Sequence, residues 1–196
     1  MNKSEAAWNE HRTTQISLVQ QFDYYGKLAA QFPLAPLRVV YAKAGTQPAA
    51  SIVRDKKSIA ENLLYWCPIA TEMKGQYLFA IINSETARKR IELYQARGQW
   101  GARHFDKVIF NLPIPRFDPK NETHAALSKA AAEAEEIAAA IELPAAVKFQ
   151  RARGLLRTAL TEAGVAKRID DLVARLLDGQ PVPEPAKPSP CAAPPR

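Results

Sequence analysis

Cationic and aromatic side chains are concentrated in one short stretch of the sequence, and they suit contact with a polyanion. Residues 95–117 read QARGQWGARHFDKVIFNLPIPRF, in which basic residues precede a short apolar run that ends in prolines. Guanidinium and ammonium groups neutralise phosphates, an amide edge and an indole ring can contact bases, and glycines let a backbone come close. The predicted contact residues of this turn are Arg97, Gln99, Trp100, Arg103, His104 and Lys107.

A solvated basic loop is the alternative interpretation of this turn, with Trp100 filling a local core. Arg97 and Arg103 are the best contact candidates, because a guanidinium can fork to guanine or to phosphate. Lys43, beside a predicted hairpin, joins the contact set. For other basic residues the choice between phosphate contact and a solvated or edge-protecting role stays open; these are Arg54, Lys56 and Lys57 near the hairpin, and Arg88, Lys89 and Arg90 on a helix. For Arg151, Arg153 and Arg157 a solvated helix face is favoured.

No catalytic or metal-binding constellation accompanies this turn. His104 and Asp106 lie two residues apart, but no nucleophile with a neighbouring base is evident, so His104 is interpreted as a polar contact or a structural histidine. His11 and His124, which lie at or near expected helix ends, are interpreted in the same way. The acidic group Glu133, Glu135 and Glu136 is explained by an exposed helical face. No cysteine or histidine cluster has metal-ligand spacing.

Length and composition favour a folded protein with an acidic partner. The chain has 196 residues, 47% of them hydrophobic, a formal net charge of +7 and a pI near 9.5. This is enough for one ordinary domain with an appendage, and the charge favours nucleic acid. Cys67 and Cys191 differ too much in setting to predict a disulfide. No window approaches the roughly 20 apolar residues that span a bilayer, so a soluble, cytoplasmic protein with no membrane partner is expected.

Apolar periodicity and turn residues predict an α+β fold, with a small mixed sheet and packed helices in residues 1–119. A helix is predicted from Glu5 to about Phe32. Two strands, 37–42 and 49–54, form a hairpin, and 63–69 suits a buried third strand. Helices follow Thr71 and Ser84, the second capped by Ser84, and 108–110 is predicted as a brief extended run.

An alanine-rich helical region is predicted over residues 120–178, as a short bundle or hairpin. Its first helix carries a narrow apolar seam for a neighbouring helix, formed by Leu127, Ala131, Ala134, Ala138 and Ile141. Two further helices are expected over 145–163 and 165–177, with a break at Gly164. The proline-rich segment 179–196 has too little apolar bulk to fold and is expected to be a disordered tail.

Several short segments, taken in order, resemble a known family. Ile82-Asn83-Ser84, the glycine-alanine-arginine turn of 101–107, the LPIP of 112–115 and the FDP of 117–119 are similar to the C-terminal target-recognition region of large N6-adenine DNA methyltransferases. Such enzymes occur in restriction-modification and phage-defence systems. The family's first element begins with leucine, which Ile82 replaces here. Residues 21–33, 37–45 and 63–70 extend the likeness over most of the chain.

The catalytic signatures of that family are missing from the sequence. It has no Asn-Pro-Pro-aromatic or Asp-Pro-Pro-aromatic tetrapeptide, since Leu112 and Ile114 interrupt the prolines after Asn111, and no glycine-rich turn for S-adenosylmethionine. The resemblance therefore implies a DNA-binding target-recognition module with no catalytic residue and no cofactor of its own. Its expected partners are double-stranded DNA and a methyltransferase catalytic subunit or domain, which would hold the S-adenosylmethionine. The alternatives are a subunit-docking fragment, a non-functional remnant, or a complete small enzyme, the least favoured.

Overall fold

The structure, a computed structural model, describes residues 2–45, 48–61, 63–92, 94 and 108–179. These ranges contain seven α-helices and three β-strands, together with short 3-10 turns. In chain order they are α1 (Asn2–His11), α2 (Leu18–Phe22), β1 (Arg38–Ala42), β2 (Ala50–Val53), β3 (Leu64–Pro68), α3 (Glu72–Asn83), α4 (Glu85–Glu92), α5 (Glu122–Ala139), α6 (Phe149–Glu162) and α7 (Val165–Asp178). The α+β fold class is confirmed.

The prediction of one helix from Glu5 to about Phe32 was wrong. Helix α1 ends at His11, α2 is a separate five-residue helix, and 3-10 turns follow at Tyr24–Gly26 and Ala29–Gln31. The Asp23 carboxylate accepts hydrogen bonds from the backbone amides of Leu28 and Ala29, at 2.7 and 3.2 Å. These local bonds offer the backbone an alternative to helix, and apolar spacing alone does not reveal them.

The predicted hairpin and third strand are present as a three-stranded antiparallel sheet in the order β2-β1-β3. Val39 of the central strand lies opposite Ile52 on one side and Cys67 on the other. Strand β3 is only partly buried, because it is an edge strand whose last two residues, Cys67 and Pro68, are exposed. The expectation of a buried third strand was therefore wrong.

Helix α3 covers one face of the sheet and leads directly into α4. Gly75 allows the close approach, since a Cβ placed there would lie 2.3 Å from Cδ1 of Ile69. The Asn83 side chain ties the end of α3 to β2: its amide donates to the Ala50 carbonyl at 3.1 Å and its oxygen accepts from the Ala50 amide at 3.0 Å. Ser84 caps α4 as predicted, with its hydroxyl accepting from the Ala87 amide at 3.0 Å.

The alanine-rich helix α5 packs between α3 and α7. Leu127, Ala131 and Ala134 of the predicted seam are buried, and their small side chains let the helices come close. Gly164 adopts a left-handed conformation, φ 72°, and separates α6 from α7 as predicted. One continuous cluster of buried apolar residues joins β1, α3, α4, α5 and α7.

Two further predictions concern the run 108–110 and the boundaries of the helical region. The run 108–110 is not extended but belongs to a 3-10 turn, Val108–Asn111. The boundaries at 119/120 and 178/179 stay predictions, and the proline-rich segment lies outside the described residues after Gly179.

Within the described ranges, no helix is both long and apolar enough to cross a membrane.

Candidate nucleic-acid interface

The basic turn predicted to contact DNA lies almost entirely outside the described residues. Arg97, Gln99, Trp100, Arg103, His104 and Lys107 all belong to the segment 95–107, whose structure is not described. The elements at the two ends of this segment are described, and so is Lys43. The geometry of the candidate site is therefore that of the scaffold from which the turn departs and to which it returns.

Helix α4 leads into the segment and is fixed by ion pairs. Arg88 pairs with Glu85 and with Glu92, the second at 3.4 Å, and the Arg88 guanidinium holds the pKa of Glu85 below its ordinary value. Arg90 pairs with Asp178 at the end of α7. These contacts assign Arg88 and Arg90 to the scaffold, whereas Lys89 between them is exposed.

The segment returns to a well-packed region of the chain. Ile109 and Leu112 are buried in the core, and the 3-10 turn places the Phe110 ring beside two tyrosines of the sheet, Tyr41 and Tyr65, at centroid distances of 6.2 and 6.0 Å. The hydroxyl of Tyr77, a buried residue of α3, donates to the Pro115 carbonyl at 2.9 Å. The LPIP segment is thus held against α3.

His124 has a structural role, as expected. It is buried, its Nδ1 accepts a hydrogen bond from the Asp118 amide at 3.0 Å, and its ring lies 4.8 Å from the Tyr77 ring. Phe117 completes the group at 5.3 Å from Tyr77. Burial raises the pKa of the Tyr77 hydroxyl, so it remains a donor. This aromatic group fixes the FDP segment against the start of α5.

Lys43 is the one predicted contact residue that the structure describes, and it lies near the returning chain. Its Nζ sits 4.5 Å from the centroid of the Tyr65 ring, which also contacts Phe110. A cation in this position is attracted by the ring face. Lys43 therefore lies beside Tyr65, whose ring contacts Phe110, a residue shortly after the 95–107 segment.

The other hairpin cations differ in role. Arg54 bridges Glu72 of α3 and Glu135 of α5, and the bond to Glu135 is the main cause of its raised pKa. It is a structural link and not a free phosphate ligand. Lys56 and Lys57 are exposed. Their role stays open.

Glu133 and Glu135 form cross-element ion pairs that the sequence did not reveal, with Arg168 and Arg54 respectively. Only Glu136 of the acidic group is fully on the solvent side, so the expectation of a simple exposed face was incomplete. The hydrogen bonds of Tyr77 and Asn83 were also missed, because their partners are backbone groups 38 and 33 residues away. Among the described residues no group of three or more histidine, cysteine or carboxylate side chains could hold a metal ion.

Comparison with known proteins finds one solved structure with a similar fold. No protein-family model matches the chain, and no curated protein matches it. A solved structure, that of the Type IIL restriction-modification enzyme MmeI in complex with DNA, is similar with a TM-score of 0.53 and 15% identity, over 78% of this chain and 20% of that one. The chain thus corresponds to about a fifth of the length of that enzyme. At this identity the likeness shows a fold related to that of a restriction-modification enzyme.

Proposed function

We propose that the chain is a DNA-binding target-recognition module of an N6-adenine DNA methyltransferase from a restriction-modification or phage-defence system, and is not catalytic by itself. In this proposal a separate catalytic subunit or domain holds S-adenosylmethionine and takes the adenine out of the duplex. The 95–107 turn positions the duplex through phosphate contacts and touches bases through a few side chains.

The observation that carries the proposal is the anchoring of both ends of the basic turn. The chain before the turn is fixed through α4 and the Arg90–Asp178 ion pair, and the chain after it through the buried side chain of Ile109 and the Tyr77–Pro115 hydrogen bond. A rigid support is what a contact loop needs, because binding residues held in place lose less conformational entropy. The fold similarity to a restriction-modification enzyme is consistent with this function.

The alternative is a fragment that docks on another subunit through its alanine seam. In the structure that seam is already occupied, since α5 packs on α3 and α7 of the same chain. The seam therefore offers less surface to a partner than the sequence suggested. A non-functional remnant of a methyltransferase would retain the fold without DNA affinity.

Fluorescence anisotropy with a labelled duplex, at low and moderate salt, tests the proposal. We expect weak binding with strong salt dependence, and lower affinity after Arg97→Ala or Arg103→Ala at unchanged melting temperature. Lys129→Ala, which removes an exposed charge from α5, is the matched control. Absence of binding at low salt would favour the docking fragment or the remnant, and unchanged affinity in both arginine variants would exclude this turn as the recognition surface.

Trp100→Ala separates the two interpretations of that side chain. If Trp100 stacks on or wedges against DNA, its side chain is exposed in the free protein. Its loss then lowers the affinity for DNA and leaves the free energy of unfolding nearly unchanged. A core tryptophan contributes about 3–5 kcal/mol to the free energy of unfolding, and its loss would lower the melting temperature. Both quantities are measured on the same variant.

A further inference from the structure

Helix α6 and its N-cap residue carry a concentration of positive charge, and the nearest acids along the sequence, Glu142 and Glu162, lie outside the basic stretch. Residues 143–161 contain Lys148, Arg151, Arg153 and Arg157 and neither aspartate nor glutamate. The one acid of the helix, Glu162, is its last residue. It lies about 16 Å along the axis from Arg151 at roughly 1.5 Å per residue, farther than the Debye length of about 10 Å at 0.1 M salt. Acids of other elements, Glu85, Glu135 and Asp170, line the cleft beside α6. The cationic surface is therefore the outward side, at Lys148 and Arg151.

Helix α6 is also the least buried of the three C-terminal helices. None of its residues is buried, and a cleft of about 760 Å³ separates part of it from the body, with Phe79, Ala138 and Leu156 among the lining residues. Helical geometry places Arg151 and Leu155 on the side opposite the half-buried Leu160, and Lys148 is the N-cap residue just before the first turn. Lys148, Arg151 and Leu155 are exposed. The side chains on the outward side of α6 therefore face solvent and not another part of the described chain.

The arginines of the neighbouring helices α4 and α7 are used differently. Arg88, Arg90 and Arg168 form ion pairs, and Arg175 donates to the Asp171 carbonyl at 3.3 Å. Within the described part of the chain, by contrast, neither Lys148 nor Arg151 has an ion pair or a side-chain hydrogen bond. These two charges are not explained by folding.

The two remaining cations of α6 lie on its cleft side. The Arg153 guanidinium lies 5.4 Å from the centroid of the Phe149 ring, and Arg157 contributes, after Arg88 and Lys89, to the lowered pKa of Glu85. Both residues line the cleft. They add to the positive field of the helix, while Lys148 and Arg151 are the ones fully available to a ligand.

We propose that α6 is a second contact surface for duplex DNA, at which Lys148 and Arg151 bind neighbouring phosphates of one strand. Lys148 is the N-cap of α6 and Arg151 is the third residue of its first turn. In helix capping these two positions are close enough for a side chain of one to bond the backbone of the other, so the two side chains can reach consecutive phosphates. The contact is independent of base sequence, because phosphates carry none. It rests on the proposed DNA-binding function but involves residues outside the 95–107 turn.

Duplex DNA fits this surface better than an anionic membrane does. A helix that lies in a membrane interface buries a broad apolar face beside its basic one. Helix α6 exposes two large apolar side chains, Leu155 at 38% and Phe149 at 72%, but they are about 120° apart around the axis and so form no broad apolar face. Charge complementarity with the phosphate backbone therefore accounts for the surface, and anionic vesicles serve as the competing ligand in the test.

The test is the salt dependence of duplex binding by the full chain, measured by anisotropy for the Lys148→Ser/Arg151→Gln double variant. Serine suits position 148 because that residue is the N-cap of α6 and has no side-chain cap bond, so the helix is preserved. Lys120→Gln/Lys129→Gln removes the same charge from exposed sites around the start of α5. Two duplexes of different sequence and vesicles containing phosphatidylserine are titrated in parallel.

We expect the α6 variant to lose affinity for both duplexes, and the slope of log affinity against log salt to become shallower by about 1 to 2, or about 0.9 per phosphate contact. Wild-type affinity and slope in this variant would overturn the proposal. So would a loss no larger than that of the α5 control, or vesicle binding that depends on Lys148 and Arg151 while DNA binding does not.

Failure of this proposal is distinguishable from failure of the recognition turn. If the Arg97 and Arg103 variants lose DNA binding and the α6 variant does not, the turn is the DNA-contact surface and the α6 proposal is wrong. If only the α6 variant loses binding, α6 is the contact surface and the turn is not.

Discussion

Tyr77 is the residue on which the support of the basic turn depends most. Its side chain is fully buried, its ring contacts Phe117 and His124, and its hydroxyl bonds the Pro115 carbonyl. Tyr77→Phe keeps the ring but leaves that carbonyl without its partner. We expect the free energy of unfolding to fall by about 1–3 kcal/mol, measured by urea denaturation.

Tyr25→Phe provides the matched control for this substitution. Tyr25 is 81% exposed, so removal of its hydroxyl should change stability by less than about 0.5 kcal/mol. Equal stability of wild type and Tyr77→Phe would show that the hydroxyl bond contributes nothing to holding the LPIP segment. The affinity of Tyr77→Phe for DNA then measures how far the turn depends on its anchor.

Single residues also show how far the sequence could be interpreted. The serine cap of α4 was predictable, because Ser84 follows an apolar helix and precedes another, and capping is a local interaction. The role of Asn83 was not. It belongs to a segment that resembles a DNA methyltransferase motif, yet its amide joins α3 to β2. A contact between residues 33 positions apart leaves no periodic signal.

At the level of elements, the alanine seam of α5 makes a sharp prediction. Ala131 is fully buried between neighbouring helices, so Ala131→Leu must displace side chains or backbone. Overpacking of this kind costs about 1–3 kcal/mol of unfolding free energy, which thermal denaturation would detect. Ala139→Leu at the exposed end of the same helix is the control. Equal melting temperatures for the two variants would mean that α5 is loosely packed.

Helix α6 gives the opposite kind of prediction. Its N-cap, Lys148, has extended backbone angles suited to a cap but no oxygen to offer the free amides of the first turn. Lys148→Ser should therefore raise the free energy of unfolding by about 0.5–2 kcal/mol, whereas Lys148→Ala lacks the oxygen and should not. Chemical denaturation of both variants decides it; no gain with serine would contradict the expected cap. A stability gain with a loss of DNA affinity would identify a residue retained for binding.

The elements that were predicted correctly are those fixed by local patterns. The hairpin, α3, α4 and the three C-terminal helices follow from apolar spacing, caps and glycine breaks. Two predictions failed where local geometry competes with periodicity. The expected first helix already ends at His11, a capping box at Ser17 starts the separate α2, and the Asp23 carboxylate bonds to backbone amides after α2. Burial of Ile109 accompanies a 3-10 turn where a strand was expected.

On the scale of the whole molecule, one buried core joins residues from β1 to α7, and none of its described members belongs to α1 or α2. The buried cluster joins the sheet to α5 and α7, and ion pairs such as Arg54–Glu135 and Arg90–Asp178 link early and late parts of the sequence. The boundary at 119/120 stays a prediction, since it rests on a change of composition, which reflects local structure and not long-range packing. Shared packing means that substitutions in α5 should also affect the scaffold of the basic turn.

The last prediction concerns what the chain does alone. The sequence lacks both the Asn-Pro-Pro-aromatic tetrapeptide that holds a flipped adenine in the resembling family and the glycine-rich turn for the cofactor. We therefore expect the purified chain neither to bind S-adenosylmethionine nor to methylate duplex DNA, while it binds that DNA. Isothermal titration calorimetry measures the first, and transfer of labelled methyl groups measures the second. Saturable cofactor binding in the micromolar range would show that a binding site exists outside the known motifs, and methyl transfer would make the chain an enzyme in its own right.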